Sequence, residues 1–167
     1  MKNKTNVRKL TFLSLSCALA LVLAYLEFLL PPIFHAVPGI KMGLPNVVIL
    51  FVLYRYSTPH AAAVSLVRLV AVWLLFGNAM TFLYSLAGAT LSLLVMALLK
   101  RWDKLSPVGV SVAGAVMHNL GQILTAMLLL GTAELGYYMV ILAITGTLSG
   151  VFIGLLGGLA LKRLKKY

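Results

Sequence analysis

The sequence predicts an all-α integral membrane protein, a bundle of six transmembrane helices in one domain spanning residues 1–167. Three observations predict it. Hydrophobic residues make up 62% of the chain and mean hydropathy is +1.04, against roughly half apolar residues in soluble domains. The apolar residues form runs, several long enough at about 1.5 Å per residue to cross a hydrocarbon core of about 30 Å. The basic residues sit in short clusters between those runs, which is how membrane topology is written.

Lys2, Lys4, Arg8 and Lys9 precede the first run, Leu10 to about Leu30, so the first helix is expected to start inside. Ala18-Leu19-Ala20 resembles a signal-peptide cleavage site, but apolar sequence continues for another ten residues, which favours a retained helix. Three prolines break the loop from Pro31 to about Lys41. A second, short span is expected over about 42–54, and Arg55 to His60 makes a turn whose Pro59 suits the first turn of a following helix. The third span covers about 61–76, Gly77-Asn78 turns the chain, and the fourth covers about 79–99. Lys100 to Lys104 separates it from the fifth, about 107–130. Tyr137 and Tyr138 suit an interfacial belt at the start of the sixth, about 137–161, before the basic tail.

With both termini inside, twelve of the fourteen Lys and Arg fall in cytoplasmic segments and only Lys41 in an outer one. Arg68 falls inside the third span. The net charge of +11 therefore describes topology; no basic stripe interleaved with aromatics is present to take nucleic acid. The lone Cys17 can form no internal disulfide.

Small residues mark the packing faces. Gly146, Gly150, Gly154 and Gly158 recur every four residues on the sixth span, and Ser16, Ala20 and Ala24 do so on the first, which lets neighbouring backbones approach closely. Packing within the bundle explains both faces. For the first span a second reading is a face that docks a partner protein in the membrane.

The chemistry is expected where polar groups interrupt the apolar runs, because an ionisable residue within a span is costly. Pro38-Gly39-Ile40-Lys41-Met42-Gly43-Leu44-Pro45-Asn46 is a broken helix start, tolerated at membrane depth only where it lines protein or a cavity. Arg68 lies near the middle of the third span, and His118, Asn119 and Gln122 occupy one turn of the fifth. Glu27 sits about seven residues, roughly 10 Å, beyond the centre of the first span, near the depth of Asn46. Lys41, Asn46, Arg68, His118, Asn119, Gln122 and Glu27 are the candidate substrate contacts for a ligand with an anionic or carbonyl-rich head and an apolar body. A buried Arg68–Glu27 pair that only fixes the bundle is the structural alternative, and His118 alone could be a hydrogen-bonded core residue.

Absences narrow the classes. There is no Walker-type phosphate loop and no metal-ligand spacing, and the single aspartate, Asp103, excludes paired aspartate-rich motifs that would hold Mg²⁺ on a diphosphate. Neither an enzyme nor a cofactor is indicated.

Four separated stretches, Pro38 to Asn46, Ser65 to Arg68, Thr81 to Gly88 and Ser111 to Gln122, resemble the Gx transporter family, whose members are often labelled heptaprenyl diphosphate synthase component I. The resemblance covers nearly the whole chain, with Pro45 where a small residue such as alanine is expected. That family is similar to the S components of energy-coupling factor (ECF) transporters. The resemblance implies a six-helix bundle in the bacterial cytoplasmic membrane that binds a vitamin-, quinone- or isoprenoid-related molecule near its outer face, with the Pro31 to Lys41 loop as gate. It also implies toppling on a transmembrane T component driven by two ATPase subunits, with Ser16, Ala20 and Ala24 matching the docking face. A non-catalytic membrane accessory of heptaprenyl diphosphate or quinone biosynthesis is the second reading. A solitary carrier using His118 or Glu27 as a proton relay is the third.

Overall fold

The computed structural model describes residues 2–29 and 43–164. Lys41, the expected gate from Pro31 to Lys41, and Lys165 and Lys166 of the basic tail lie outside the described residues. Six α-helices account for nearly all of the rest: α1 Lys2–Leu29, α2 Asn46–Arg55, α3 Thr58–Leu75, α4 Ala79–Trp102, α5 Pro107–Leu130 and α6 Met139–Leu164. A 3-10 helix, Ala133–Tyr138, leads into α6, so Tyr137 and Tyr138 precede the last helix rather than open it. Among the described residues there is no strand.

Helix ends follow local chemistry. The Asn78 side chain accepts from Thr81 N at 2.9 Å while Asn78 N donates to Thr81 Oγ1 at 3.1 Å, a reciprocal cap that satisfies two otherwise orphaned donors at the start of α4. Ser106 caps α5 by accepting from Gly109 N at 3.2 Å, with Pro107 in the first turn. Gly131, at φ +65°, ends α5 in the left-handed conformation that glycine adopts at low cost. Pro59 lies in the first turn of α3, as its position in the sequence predicts.

Among the described residues five helices are long and apolar enough to cross a membrane; α2 is not. Its ten residues rise about 15 Å, half a hydrocarbon core, so the second span expected over about 42–54 is a half-span. What stabilises it is enclosure. Asn46 and the run from Val48 to Leu53 are buried, and α2 packs against α1, α3, α5 and α6. Its first N–H groups close short turns onto Gly43, Leu44 and Pro45 carbonyls, so no side-chain cap is needed. At its other end Lys100 Nζ donates to Leu53 O at 2.6 Å, placing a cation where the helix dipole is negative. Lys100→Met is expected to lower the unfolding midpoint in detergent, corresponding to a loss of about 1.5–3 kcal/mol, whereas exposed Lys104→Met should leave it unchanged.

Around α2 the long helices follow the order α1, α3, α4, α5, α6, with α2 between α1 and α6. Glycines set the closest approaches. A Cβ on Gly121 would lie 2.9 Å from Gly88 Cα, so α4 and α5 touch backbone to backbone. On α6, a Cβ at Gly146, Gly150 or Gly154 would meet Val116, Val112 or Val108 of α5 within 3.3 Å. The expected glycine face therefore packs within the bundle at three of its four positions. Gly158 meets nothing, while its neighbour Gly157 rests on Leu50 of α2.

The small-residue face of α1 is turned inward. Ser16, Ala20 and Ala24 are buried, Ala20 within the apolar cluster built on α2. Of the two readings the sequence offers for this face, this burial matches packing within the bundle. The exposed side of α1 carries Leu15, Leu19, Val22 and Leu26 instead.

Two apolar clusters fill the interior. One surrounds Ile49, Leu50, Val52 and Leu53 of α2; the other joins Tyr84, Ile123, Ala126, Leu135 and Leu142. On α5, Val110 belongs to the first and Ile123 to the second. His118 and Gln122 fall between them, so the polar turn of α5 is sandwiched between apolar layers.

Candidate functional site

The polar layer is assembled by the start of α2. Gly43 N donates to Glu27 Oε1 at 2.6 Å, tying this turn to the outer part of α1. Gly43 has φ +83°, and a Cβ there would lie 2.7 Å from Asn46 Nδ2 and 3.6 Å from His118 Cδ2. Only glycine fits a left-handed turn pressed between those two side chains. Across the layer, α4 presents Gly88, whose Cβ would meet His118 O at 2.7 Å, Gln122 Cγ at 2.9 Å and His118 Nδ1 at 3.2 Å. Gly88 is thus the space that admits the imidazole and the amide.

Arg68 completes the layer from α3. It shares with Glu27 a cleft also lined by Ala24, Trp73, Thr81 and Ser85, and its charge lies within electrostatic range of both Glu27 and His118. The cleft holds about 10 Å³, the room of about one water. Of its aromatic lining, Trp73 and Phe82 bring together α3 and α4, with ring centroids 5.2 Å apart.

The structure brings Glu27, Asn46, Arg68, His118 and Gln122 to one level of the bundle, all buried. Asn119 departs from them. Its Nδ2 donates to Leu142 O at 2.8 Å, and a Cβ on Gly146 would lie 2.9 Å from the same nitrogen. Asn119 therefore faces α6, while His118 and Gln122 face α4. Lys41, the remaining expected contact, lies outside the described residues.

Hydrogen bonding in this layer is incomplete. Among the described residues, Asn46 Nδ2, Arg68 Nε and Nη2 and both amide atoms of Gln122 are buried with no hydrogen-bond partner. Glu27 and Arg68 face the same cleft, but those two guanidinium nitrogens are not spent on the carboxylate. Each orphaned group costs about 1–3 kcal/mol, more when charged, and native proteins leave few of them. Donors predominate, which suits an anionic or carbonyl oxygen. Among the described residues no three His, Cys, Asp or Glu side chains converge as a metal site.

Two features escape inspection of single residues. Gly88 is a candidate only as the last residue of the Thr81 to Gly88 stretch, and nothing in its type signals that it cradles His118. The Trp73–Phe82 pair at the cleft joins rings from two helices, which no spacing rule connects. By contrast, the described parts of all four separated stretches meet here: Gly43 and Asn46, Arg68, Thr81 and Ser85 with Gly88, and His118 with Gln122. No curated protein and no solved structure matches the chain. A family model does, over residues 16–160. The chain, an apolar helical bundle around this polar layer, belongs to the family described as heptaprenyl diphosphate synthase component I.

Proposed function

We propose that this protein is the substrate-capture subunit of a bacterial uptake system in the cytoplasmic membrane, of the ECF S-component kind. Its cargo is a small molecule with an anionic or carbonyl-rich head, of vitamin, quinone or isoprenoid type. One observation carries the reading: a layer of buried donors that find no partner among the described residues, in an otherwise apolar bundle. A purely structural layer would satisfy its own groups; a capture site leaves them for the ligand. No phosphate-binding loop is present in the sequence, so energy would come from a T component and two ATPase subunits. Positive residues at the cytoplasmic ends would set both termini inside.

The family description favours a second reading, a membrane accessory of heptaprenyl diphosphate or quinone synthesis. Catalysis of diphosphate chemistry is not what the residues support. Asp103 ends α4 on the surface and Glu134 lies in the 3-10 helix, leaving Glu27 as the one carboxylate in the polar layer. No pair of carboxylates is present there to hold Mg²⁺.

Native mass spectrometry of the protein extracted gently from its own membrane separates the two. The expected spectrum shows a small-molecule adduct that is lost in Arg68→Gln and kept in part in Arg68→Lys, with T-component and ATPase subunits attached. An adduct-free chain bound to a soluble prenyltransferase would overturn the capture reading in favour of the accessory.

A further inference from the structure

We infer that the ligand is a single-chain amphiphile, its anionic head at Arg68 and its apolar tail lying in the groove between α3 and α4. This rests on the reading of the polar layer as a capture site and names the class of molecule it takes.

The groove follows from how α4 is held. Gly88 and Gly121 bring α4 against α5 backbone to backbone, and on the opposite side α3 and α4 leave a furrow of about 340 Å³, within the range of small-molecule sites. Its walls are one face of each helix. Ala62, Leu66 and Leu69 recur at helical spacing on α3, and Leu86, Thr90 and Leu94 do so on α4. Leu66 and Leu94 are more than half exposed, so the furrow opens sideways to where lipid would lie.

It adjoins the cleft of the cation. Leu69 lines both the furrow and the cleft that holds Arg68 and Glu27. Buried Ser65, one turn before Arg68, lines the furrow as well. From Thr58 at the far end to Leu69 is eleven residues of α3, about 16 Å, the length of an extended dodecyl chain. Charge complementarity selects the head. Arg68 Nε and Nη2 are buried and have no hydrogen-bond partner among the described residues, and a guanidinium in such surroundings prefers a phosphate or carboxylate. A bulk phospholipid fits poorly, because it carries two chains where the furrow is one groove between two helices. A head larger than water requires the Trp73–Phe82 pair to part, because the cleft holds about 10 Å³.

The test titrates the intact protein, in phosphatidylglycerol nanodiscs, with dodecyl phosphate, inorganic phosphate and dodecanol, reading bound mass by native mass spectrometry. Dodecyl phosphate should bind at least about 100-fold more tightly than inorganic phosphate, given the apolar area its chain removes from water. Arg68→Gln should reduce dodecyl phosphate to the level of dodecanol. Ala62→Phe and Thr90→Phe, at exposed positions in the furrow, should weaken dodecyl phosphate about tenfold or more and leave inorganic phosphate unchanged. Unaltered dodecyl phosphate binding in both Phe variants would overturn the tail assignment while leaving the polar layer as the capture site. Equal binding of dodecanol and dodecyl phosphate, or no effect of Arg68→Gln, would overturn the head assignment and the capture site with it. Phosphatidylglycerol retained equally by the wild type and Arg68→Gln, and not displaced by dodecyl phosphate, would assign the furrow to bulk lipid and overturn the proposal.

Discussion

Gln122→Leu is expected to raise the melting temperature of the ligand-free protein and to abolish ligand capture. Gln122 is fully buried, and neither Oε1 nor Nε2 has a hydrogen-bond partner among the described residues. Each such group costs about 1–3 kcal/mol of desolvation with nothing returned, whereas an apolar group of similar shape is neutral or stabilising in the same place. Leucine nearly matches the glutamine in size and keeps its Cγ against Gly88, so no cavity or clash offsets the gain. For a chain of this length each kcal/mol shifts the midpoint by roughly 2–4 °C, and a rise of several degrees is the expected reading. Ligand retention, followed by native mass spectrometry of the same preparation, should disappear. The combination is informative because a structural amide behaves in the opposite way. If Gln122 held the bundle together, the leucine variant would melt earlier, and the polar layer would be architecture. His118→Leu is a less clean version of the experiment, since the imidazole also borders the space beside Gly43 and lies against Gly88.

The sequence carries this layer unevenly, and the reasons are physical. Arg68, His118 and Gln122 are legible because a charge or amide inside an apolar run has no bland explanation at membrane depth. The helical fold is legible for the same solvent-driven reason: long apolar runs between basic clusters leave few alternatives. Asn119 shows the limit. Its spacing from Gln122 suggests a shared face, but α4 and α6 lie on two sides of α5 and divide the turn between them, so the carboxamide of Asn119 goes to Leu142 O. Spacing fixes an angle around a helix; only the neighbours decide what that angle faces. The stripe of Ser16, Ala20 and Ala24 illustrates the same point at larger scale. Small residues announce a close approach, but not whether the approaching backbone belongs to the same chain, and here it does. The second span is legible only as short, for another reason. Hydropathy registers how apolar Met42 to Tyr54 is, not that four neighbouring helices enclose it, and enclosure is what makes a half-length helix stable at that depth.

Gly150→Leu is expected to be the most damaging single substitution in the molecule, with Gly158→Leu as its silent counterpart. Both glycines lie on the same stripe of α6, two turns apart, and sequence alone gives them equal weight. Their surroundings differ. A Cβ on Gly150 would stand 2.6 Å from Val112 Cα and 3.1 Å from Ala115 Cβ, contacts with α5 that no side-chain rotation relieves, whereas one on Gly158 meets nothing within 4 Å. Overpacking of this kind typically costs about 1–3 kcal/mol, and backbone opposition puts this case at the upper end or beyond. Between membrane helices no hydrophobic force compensates, because lipid tails solvate a separated face as well as another helix does. Pushing α6 off α5 would also take Leu142 O away from Asn119 Nδ2, leaving a further buried donor unpaired beside the polar layer. Gly150→Leu should therefore lose both its cooperative melt in detergent and its ligand, while Gly158→Leu keeps both. Equal melts for the two variants would show that the α5–α6 contact is not what holds the polar turn of α5 in place.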